Sequence, residues 1–587
     1  MSASRTLRAA LALALACGTA LVCAQDATPV APERPSGWID KAPVTARRFL
    51  VATANPLATR AGVAVLKAGG NAADAAIAAQ LVLGLVEPQS SGLGGGAFLL
   101  YHDAKARKLI AYDGRETAPL AAKSDRFLDA HGKPLRFGDA VVGGRSVGVP
   151  GTVALLDLVH RRHGRLRWSR LFDDAIELAA RGFPISPRLH SEIAAHTRWP
   201  QARARDYFLG ADRVAKPVGT LLRNPAYAAT LRTLADEGAD AFYTGAIAED
   251  IVRTVRGAGV HPGDMTVQDL RRYRVVVREP VCGAYRRFRI CGMPPPSSGG
   301  IGVLQTLAIL APYDIGAMGA ASFWSVHFVS EAERLAYADR NVYIADPTFF
   351  DVPAGLLDDA YLRARSKLVS PLRTLGVAPA GDPARARPLA LSMPWGADRS
   401  AEFVSTSQVS IVDADGNAVS MTTTIEAGFG SRLMTASGFL LNNELTDFSF
   451  VPVEQGKPVA NRVEGGKRPR STMAPTIGYD QAGRVAIVTG SPGGGAIIDY
   501  VVKNLVAIVD WNMDPQAAAA LPNFGSMNGP TELEAQTNVV ALAPKLRALG
   551  HDVRIVPETS GAQTIVRRGD RWIGGADPRR EGVALGE

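Results

Sequence analysis

The run Thr406-Ser407-Gln408-Val409-Ser410-Ile411-Val412 leads into Asp413-Ala414-Asp415-Gly416-Asn417 and then Ala418-Val419. Two stretches of strand-forming residues around an Asp/Gly/Asn cluster predict a strand, a tight turn and a returning strand. A threonine opens the first strand. Taken alone, that is an ordinary structural choice, because Thr suits a pleated backbone. Its meaning depends on what accompanies it.

Downstream come Thr424-Ile425-Glu426, Leu441-Asn442-Asn443-Glu444-Leu445-Thr446-Asp447-Phe448-Ser449, Arg468-Pro469-Arg470-Ser471-Thr472-Met473 and Thr489-Gly490-Ser491-Pro492-Gly493-Gly494. Upstream stand Gly69-Gly70-Asn71-Ala72-Ala73-Asp74, Leu93-Gly94-Gly95-Gly96, Arg115-Glu116-Thr117-Ala118-Pro119 and the stretch from Met293 to Gly300. In this order the segments resemble the gamma-glutamyltranspeptidases, which are N-terminal-nucleophile hydrolases. The resemblance runs from about Val51 to Arg580. It implies an α/β fold, a four-layer αββα sandwich, and a precursor that cleaves itself at Ser405–Thr406. The implied division is a signal peptide at 1–24, a large subunit at 25–405 and a small subunit at 406–587. No metal or organic cofactor is implied.

The chemistry of such a set is coherent. A hydroxyl is a weak nucleophile and needs a base. A threonine at a new N-terminus carries one, its own α-amine, with a reference pKa of about 8. Thr424 on the partner strand is placed to orient the Thr406 hydroxyl. The backbone amides of Gly493 and Gly494 are candidates for an oxyanion hole, where each donor is worth ~3 kcal/mol. A zwitterionic amino-acid head group needs a cation for its carboxylate and acids for its ammonium. Arg115 offers a bidentate fork, Ser471 and Thr472 add hydroxyls, and Glu444 and Asp447 are positioned to face one ammonium.

Three departures from the family pattern stand out. Glu426 occupies a position where asparagine is usual, which gathers three acids with Glu444 and Asp447. Ala496 follows the glycines where many relatives have arginine. The segment from Phe448 to Arg470 is short beside relatives with a tyrosine-bearing lid.

The whole chain sets further bounds. Of 587 residues, 47% are hydrophobic, enough for a large core. Arg5 and Arg8, an apolar run from Ala9 to Val22 and small residues at Val22-Cys23-Ala24 predict an export signal cut after Ala24, and so a periplasmic or secreted protein. Neither that run nor the one from Ala72 to Val86 is long enough for a comfortable membrane span, and no stable span is expected in the mature form. The net charge of +9 is scattered rather than clustered, which gives no support to nucleic-acid binding. Cys282 and Cys291 flank a stretch able to form a hairpin centred on Arg286–Arg287. A disulfide or two separate thiols fit equally.

Along the chain, helices are predicted near Ala58–Lys67, from Ala72 with Asn71 as its cap, at Thr152–Arg162, Leu221–Asp236, from Ile301, at Ile497–Asp510 and at Val539–Leu549. Residues 371–400 are read as an exposed segment approaching the cleavage point.

Competing motifs carry less. Gly92 to Ala97 follows a helix and opens a strand, the reverse of a dinucleotide loop. No histidine stands at metal-ligand spacing with cysteines or acids, and no metal site is expected. Gly144-Arg145-Ser146-Val147-Gly148 has the spacing of a serine-hydrolase elbow, but Pro150 and Gly151 stand where a helix should follow. The resemblance implies a gamma-glutamyl hydrolase or transferase acting on glutathione-like compounds, with amino-acid or dipeptide acceptors. The alternatives are a glutaryl-type acylase of the same fold, a serine hydrolase using Ser146, and a non-catalytic exported binding protein.

Overall fold

The computed structural model describes residues 36–196, 198–390, 395–400 and 405–587. The predicted export signal lies outside them.

Fourteen strands build two seven-stranded sheets. In chain order they are β1 (Val44–Ala46), β2 (Leu50–Thr53), β3 (Gly96–Asp103), β4 (Lys108–Gly114), β5 (Val276–Arg278), β6 (Val281–Tyr285), β7 (Phe288–Gly292), β8 (Thr406–Val412), β9 (Ala418–Thr424), β10 (Thr476–Tyr479), β11 (Val485–Gly490), β12 (Gln563–Arg568), β13 (Arg571–Ala576) and β14 (Val583–Gly586). One sheet runs β1-β13-β12-β11-β10-β7-β6 and the other β14-β2-β8-β9-β3-β4-β5. The pairings within both are antiparallel.

Strand alternation sorts the core into layers. Val51, Leu99, Tyr101, Val409 and Ile411 face one cluster, with side chains of helices α1 (Pro56–Lys67), α2 (Ala72–Val86) and α3 (Thr152–His163). Their neighbours Leu50, Ala52, Phe98 and Leu100 turn the other way, toward Ile477, Ile487 and Ile565 of the second sheet. Helices α4 (Gly299–Leu310), α5 (Phe323–Tyr343) and α6 (Ile497–Val509) join that second cluster. The arrangement is the expected αββα sandwich. α2 is buried along almost its whole length, and Asn71 and Asp74 form a reciprocal capping box at its start. Among the described residues no helix is long and apolar enough to cross a membrane.

The β8–β9 hairpin forms as predicted, with Thr406 opposite Thr424, Gln408 opposite Thr422 and Ser410 opposite Ser420. These residues share the face toward the second sheet, and that layer is polar. Gln408 Nε2 donates to Ser420 Oγ at 3.0 Å, Thr422 Oγ1 donates to Gln408 Oε1 at 2.6 Å, and Ser420 Oγ donates to the Thr489 carbonyl at 2.8 Å. The hydrogen bonds offset the cost of burying these groups and fix the hairpin between the sheets.

Several predicted elements shift. Leu221–Leu222 pairs with Phe183–Pro184 instead of starting a helix. The helix begins at Pro225, because the Asn224 side chain caps it by accepting from Tyr227 N and proline suits the first turn. Residues 538–542 form a 3-10 turn, and an α-helix covers only Ala543–Ala548. The segment read as exposed is largely so, with Leu372 and Val377 in solvent, but its end is anchored at Asp398, which is 1% exposed and meets Arg470 Nη2 at 3.0 Å and Asn461 Nδ2 at 2.8 Å. Those buried partners are what composition could not reveal. Cys282 and Cys291 face each other in the β6–β7 hairpin and form a disulfide.

Candidate active site

Thr406 lies at the mouth of the space between the sheets and is 4% exposed. Its hydroxyl is 3.5 Å from Thr424 Oγ1, at the outer limit of a hydrogen bond. Thr424 Oγ1 has one proton and donates it to the Ser405 carbonyl oxygen at 2.7 Å. It therefore accepts from Thr406, and it also accepts the Glu426 N–H at 2.8 Å. One threonine hydroxyl thus connects the candidate nucleophile, the carbonyl of the expected scissile bond and the start of the Glu426 loop.

Glu426 is buried with φ of 76°, a left-handed conformation that is costly for a residue with a side chain. Asn443 Nδ2 holds one of its carboxyl oxygens, while Oε1 has no hydrogen-bond partner among the described residues. The next residue, Glu444, pairs with Arg115 Nη1, and Asp447 pairs with Arg115 Nη2. Arg115 Nη2 also donates to the Arg470 carbonyl at 2.7 Å and Nε to the Pro469 carbonyl at 3.2 Å. Ser471 and Thr472 follow directly. Thr472 Oγ1 donates to the Gly494 carbonyl at 2.6 Å, while Ser471 Oγ accepts from Met473 N at 3.1 Å. Gly493 has φ of 147°, and an added Cβ would fall 2.5 Å from the Tyr500 ring, so this turn requires glycine. The segments singled out in the sequence thus meet through hydrogen bonds and adjacent residues, from Thr406 and Thr424 through Glu426, Asn443–Glu444 and Arg115 to Arg470–Thr472 and the glycine turn.

The fork of Arg115 is engaged by Glu444 and Asp447. The guanidinium is fully buried; burial alone would weaken its charge, but the two acids hold the proton more firmly than usual. Burial pushes the Glu426 carboxyl well above the ordinary carboxylate range, and Asp447 and Glu444 push it further. Burial also raises Glu444, against the pull of Arg115.

Sequence reasoning passed over Glu116. It is fully buried beside Glu444, and burial followed by the Glu444 charge raises its pKa well above the usual range. Among the described residues, Glu116 Oε1 and Oε2 and Glu444 Oε2 have no hydrogen-bond donor. A Cβ on Gly96 would meet Glu116 Oε2 at 2.2 Å and one on Gly148 would meet Glu116 Cβ at 2.9 Å. These two glycines, far apart in the chain, were the available sign that a side chain fills the space.

Ser146 is bonded to its own loop, not to this set. It is fully buried, and its Oγ donates to the Val141 carbonyl at 2.6 Å. A carbonyl cannot act as the base of a triad. The residue stands in a 3-10 turn, and no helix follows until Thr152. The serine-hydrolase reading is overturned.

The reading that no histidine sits with an acid also needs correction. His327 and Glu331, one turn apart on α5, meet His551, with candidate ligand atoms within 4.8 Å of one another. The groups nonetheless satisfy each other. Arg334 Nη2 donates to Thr531 Oγ1 at 2.6 Å, Thr531 Oγ1 lies 2.7 Å from His551 Nδ1, His551 Nε2 lies 2.7 Å from His327 Nδ1, and His327 Nε2 donates to the Ser370 carbonyl at 2.7 Å. Glu331 accepts from Arg334, Thr374 and Leu375. Burial, with His327 and Arg334 adding, lowers His551 to about 3, so that ring is neutral at ordinary pH.

Residues 58–587 match the family model described as gamma-glutamyltranspeptidase. The chain belongs to the gamma-glutamyltranspeptidase family. A glutathione hydrolase proenzyme of Bacillus subtilis strain 168 is 36% identical over 546 residues, covering 92% of this chain and 91% of the relative. An acylase ACY 1 proenzyme of Pseudomonas sp. strain V22 is 35% identical, covering 90% and 91%. Among solved structures, a cephalosporin acylase from Bacillus halodurans superposes with a TM-score of 0.81 at 27% identity, covering 93% of this chain and 97% of that one. The family therefore includes both gamma-glutamyl enzymes and acylases around this fold.

Proposed function

We propose that this transpeptidase-family enzyme is made as a precursor, cuts itself between Ser405 and Thr406, and then cleaves gamma-glutamyl amides with Thr406 as nucleophile. The observation that carries the reading is the position of Thr424 Oγ1 between the Thr406 hydroxyl and the Ser405 carbonyl. In maturation, Thr406 Oγ1 attacks the Ser405 carbonyl carbon. The C–N bond breaks, an ester forms, and the hydroxyl proton ends on the new Thr406 amine. Water then splits the ester into a Ser405 carboxylate and a free Thr406 hydroxyl. Thr424 stabilises the developing oxyanion by donating to it.

In turnover, the freed α-amine takes the Thr406 proton as Oγ1 attacks the donor's gamma-carbonyl, with the Gly493–Gly494 amides as oxyanion donors. The amine product leaves with that proton, and a gamma-glutamyl-threonine ester remains. Water or the amine of an amino acid or peptide then accepts the acyl group. The internal Arg115–Glu444–Asp447 pairing gives a zwitterion a way in. Its carboxylate takes the Arg115 fork and its ammonium takes the released acids, so each buried charge exchanges one partner for another and none is stranded. Ser471 and Thr472 complete the carboxylate site on this reading. Glutathione-like compounds are the proposed donors. The leader at 1–24 supports export to the periplasm or beyond.

The decisive assay incubates purified protein with gamma-glutamyl-p-nitroanilide, with and without a dipeptide acceptor. A matched glutaryl anilide tests the acylase reading, which the acylase relatives keep in play. A glutaryl group has no ammonium and meets the same acids uncompensated, so the gamma-glutamyl compound should give the higher kcat/KM. The reverse order would establish the acylase instead.

A further inference from the structure

Ser405 is the residue that the proposed cut discards, yet it is held as firmly as the residues that stay. It is fully buried. Its hydroxyl donates to the Gln89 carbonyl at 2.5 Å and lies 3.3 Å from the Ser90 hydroxyl. The same Gln89 carbonyl accepts the Phe429 N–H at 3.1 Å, and the Ser90 carbonyl accepts the Ile425 N–H at 3.3 Å. The turn carrying these acceptors thus grips both the residue before the nucleophile and the loop that carries Glu426.

The turn is itself fixed. The Ser90 and Ser91 amides donate to the Glu87 carbonyl at 2.9 and 3.3 Å. The Glu87 carboxyl accepts from Gln89 Nε2 at 2.7 Å and from Asn55 Nδ2 and Arg188 Nε, each at 3.4 Å. Glu87, Gln89 and Ser90 are all at most 1% exposed.

From this we infer that the Glu87–Ser91 turn is the positioning element of self-cleavage and that it acts through the Ser405 side chain. The inference rests on the maturation step proposed above. With Oγ tied to Gln89 and the carbonyl tied to Thr424, the Ser405–Thr406 peptide is held at two points on either side of the carbonyl carbon that Thr406 must reach. Misplacing a reacting atom by ~1 Å can cost ~10²-fold in rate. After the proposed cut Ser405 ends the other fragment and has no part in the turnover steps proposed above. Its hydroxyl therefore governs how fast the enzyme is made and leaves the enzyme that results unchanged.

The test compares wild type, Ser405→Ala, Ser405→Thr and Thr406→Ala. Denaturing gels follow the appearance of a fragment beginning Thr-Ser-Gln-Val-Ser, and turnover is measured per cut chain. We expect Ser405→Ala to mature at least tenfold more slowly, Ser405→Thr to recover to within about threefold, and turnover per cut chain to stay at the wild-type value. Maturation of Ser405→Ala at the wild-type rate overturns the inference. So does equal slowing in Ser405→Thr, or a parallel fall in turnover per cut chain. A wild-type chain that stays whole, or a Thr406→Ala chain that is still cut, removes the underlying reading as well.

Discussion

Thr424 Oγ1 donates its proton to the carbonyl oxygen of Ser405 at 2.7 Å while lying 3.5 Å from the hydroxyl of Thr406. The bond proposed to be cut and the proposed nucleophile are thus joined through a single side chain. Thr424→Val keeps the shape and removes the donor. Self-cleavage should slow by about 10²–10³-fold, the usual loss for one oxyanion donor. A time course of the two fragments on denaturing gels measures it, and an unchanged rate would take Thr424 out of the maturation step.

Thr406→Ala should abolish cleavage and lower turnover of gamma-glutamyl-p-nitroanilide by at least ~10³-fold. Ser146→Ala serves as the control. It removes a buried hydrogen bond to the Val141 carbonyl and should cost about 1–2 kcal/mol of stability without touching either reaction. Loss of turnover in a folded, processed Ser146→Ala protein would reopen the serine-hydrolase reading.

Arg115→Lys preserves charge but not the planar fork that reaches Glu444, Asp447 and the Arg470 carbonyl. We expect KM for gamma-glutamyl donors to rise at least about tenfold, equivalent to ~1.4 kcal/mol of binding, with self-cleavage unaffected. Donor kinetics equal to wild type would place carboxylate recognition elsewhere.

Burial and two neighbouring acids hold the Glu426 carboxyl neutral well beyond the usual carboxylate range. A bound ammonium favours the ionised form. Donor binding should therefore release a proton in that window, and KM should fall as pH rises from the ordinary carboxylate range toward the raised value. Glu426→Gln keeps the neutral shape and should flatten this dependence. A KM–pH profile of the same slope in the variant would show that Glu426 does not face the ammonium.

Burial raises Glu87 from 4.5 to about 7, against Arg188. Below about 4.5 the carboxyl is neutral in both folded and unfolded chains. Between the two values the folded chain keeps a proton that the unfolded chain has lost, so stability falls as pH rises through this interval. The total loss is on the order of 3 kcal/mol. Glu87→Gln should lose less than wild type between pH 4.5 and 8 when Tm is followed across the range. Identical Tm–pH curves would exclude Glu87 as a source of the loss.

The β8–β9 hairpin was legible because its strand residues and its Asp/Gly/Asn turn are local signals. So was the Asn71 cap of α2, where side chain and amide lie three residues apart. The site residues were legible as a set only through the family pattern, since a lone Arg115 or Glu444 carries no local mark of its partner. What the sequence hid depends on contacts between distant segments. Arg115 is engaged by acids more than three hundred residues away. Glu116 fills space left by Gly96 and Gly148. Asp398, in a stretch with the composition of an exposed linker, is anchored by Arg470.

The strand order has a consequence for what the cut does to the molecule. Five ladders, β1–β13, β2–β14, β2–β8, β3–β9 and β7–β10, join a strand from before residue 405 to one from after it. The two fragments are woven together, so they separate only by melting both sheets. Folding of the precursor is unimolecular. Once the chain is cut and then melted, recovery becomes a bimolecular encounter whose yield depends on dilution. If the chain is cut as proposed, maturation works as a ratchet: the chain can assemble this architecture alone only before the cut, and the cut enzyme inherits a fold that its separated pieces would have to find again by collision.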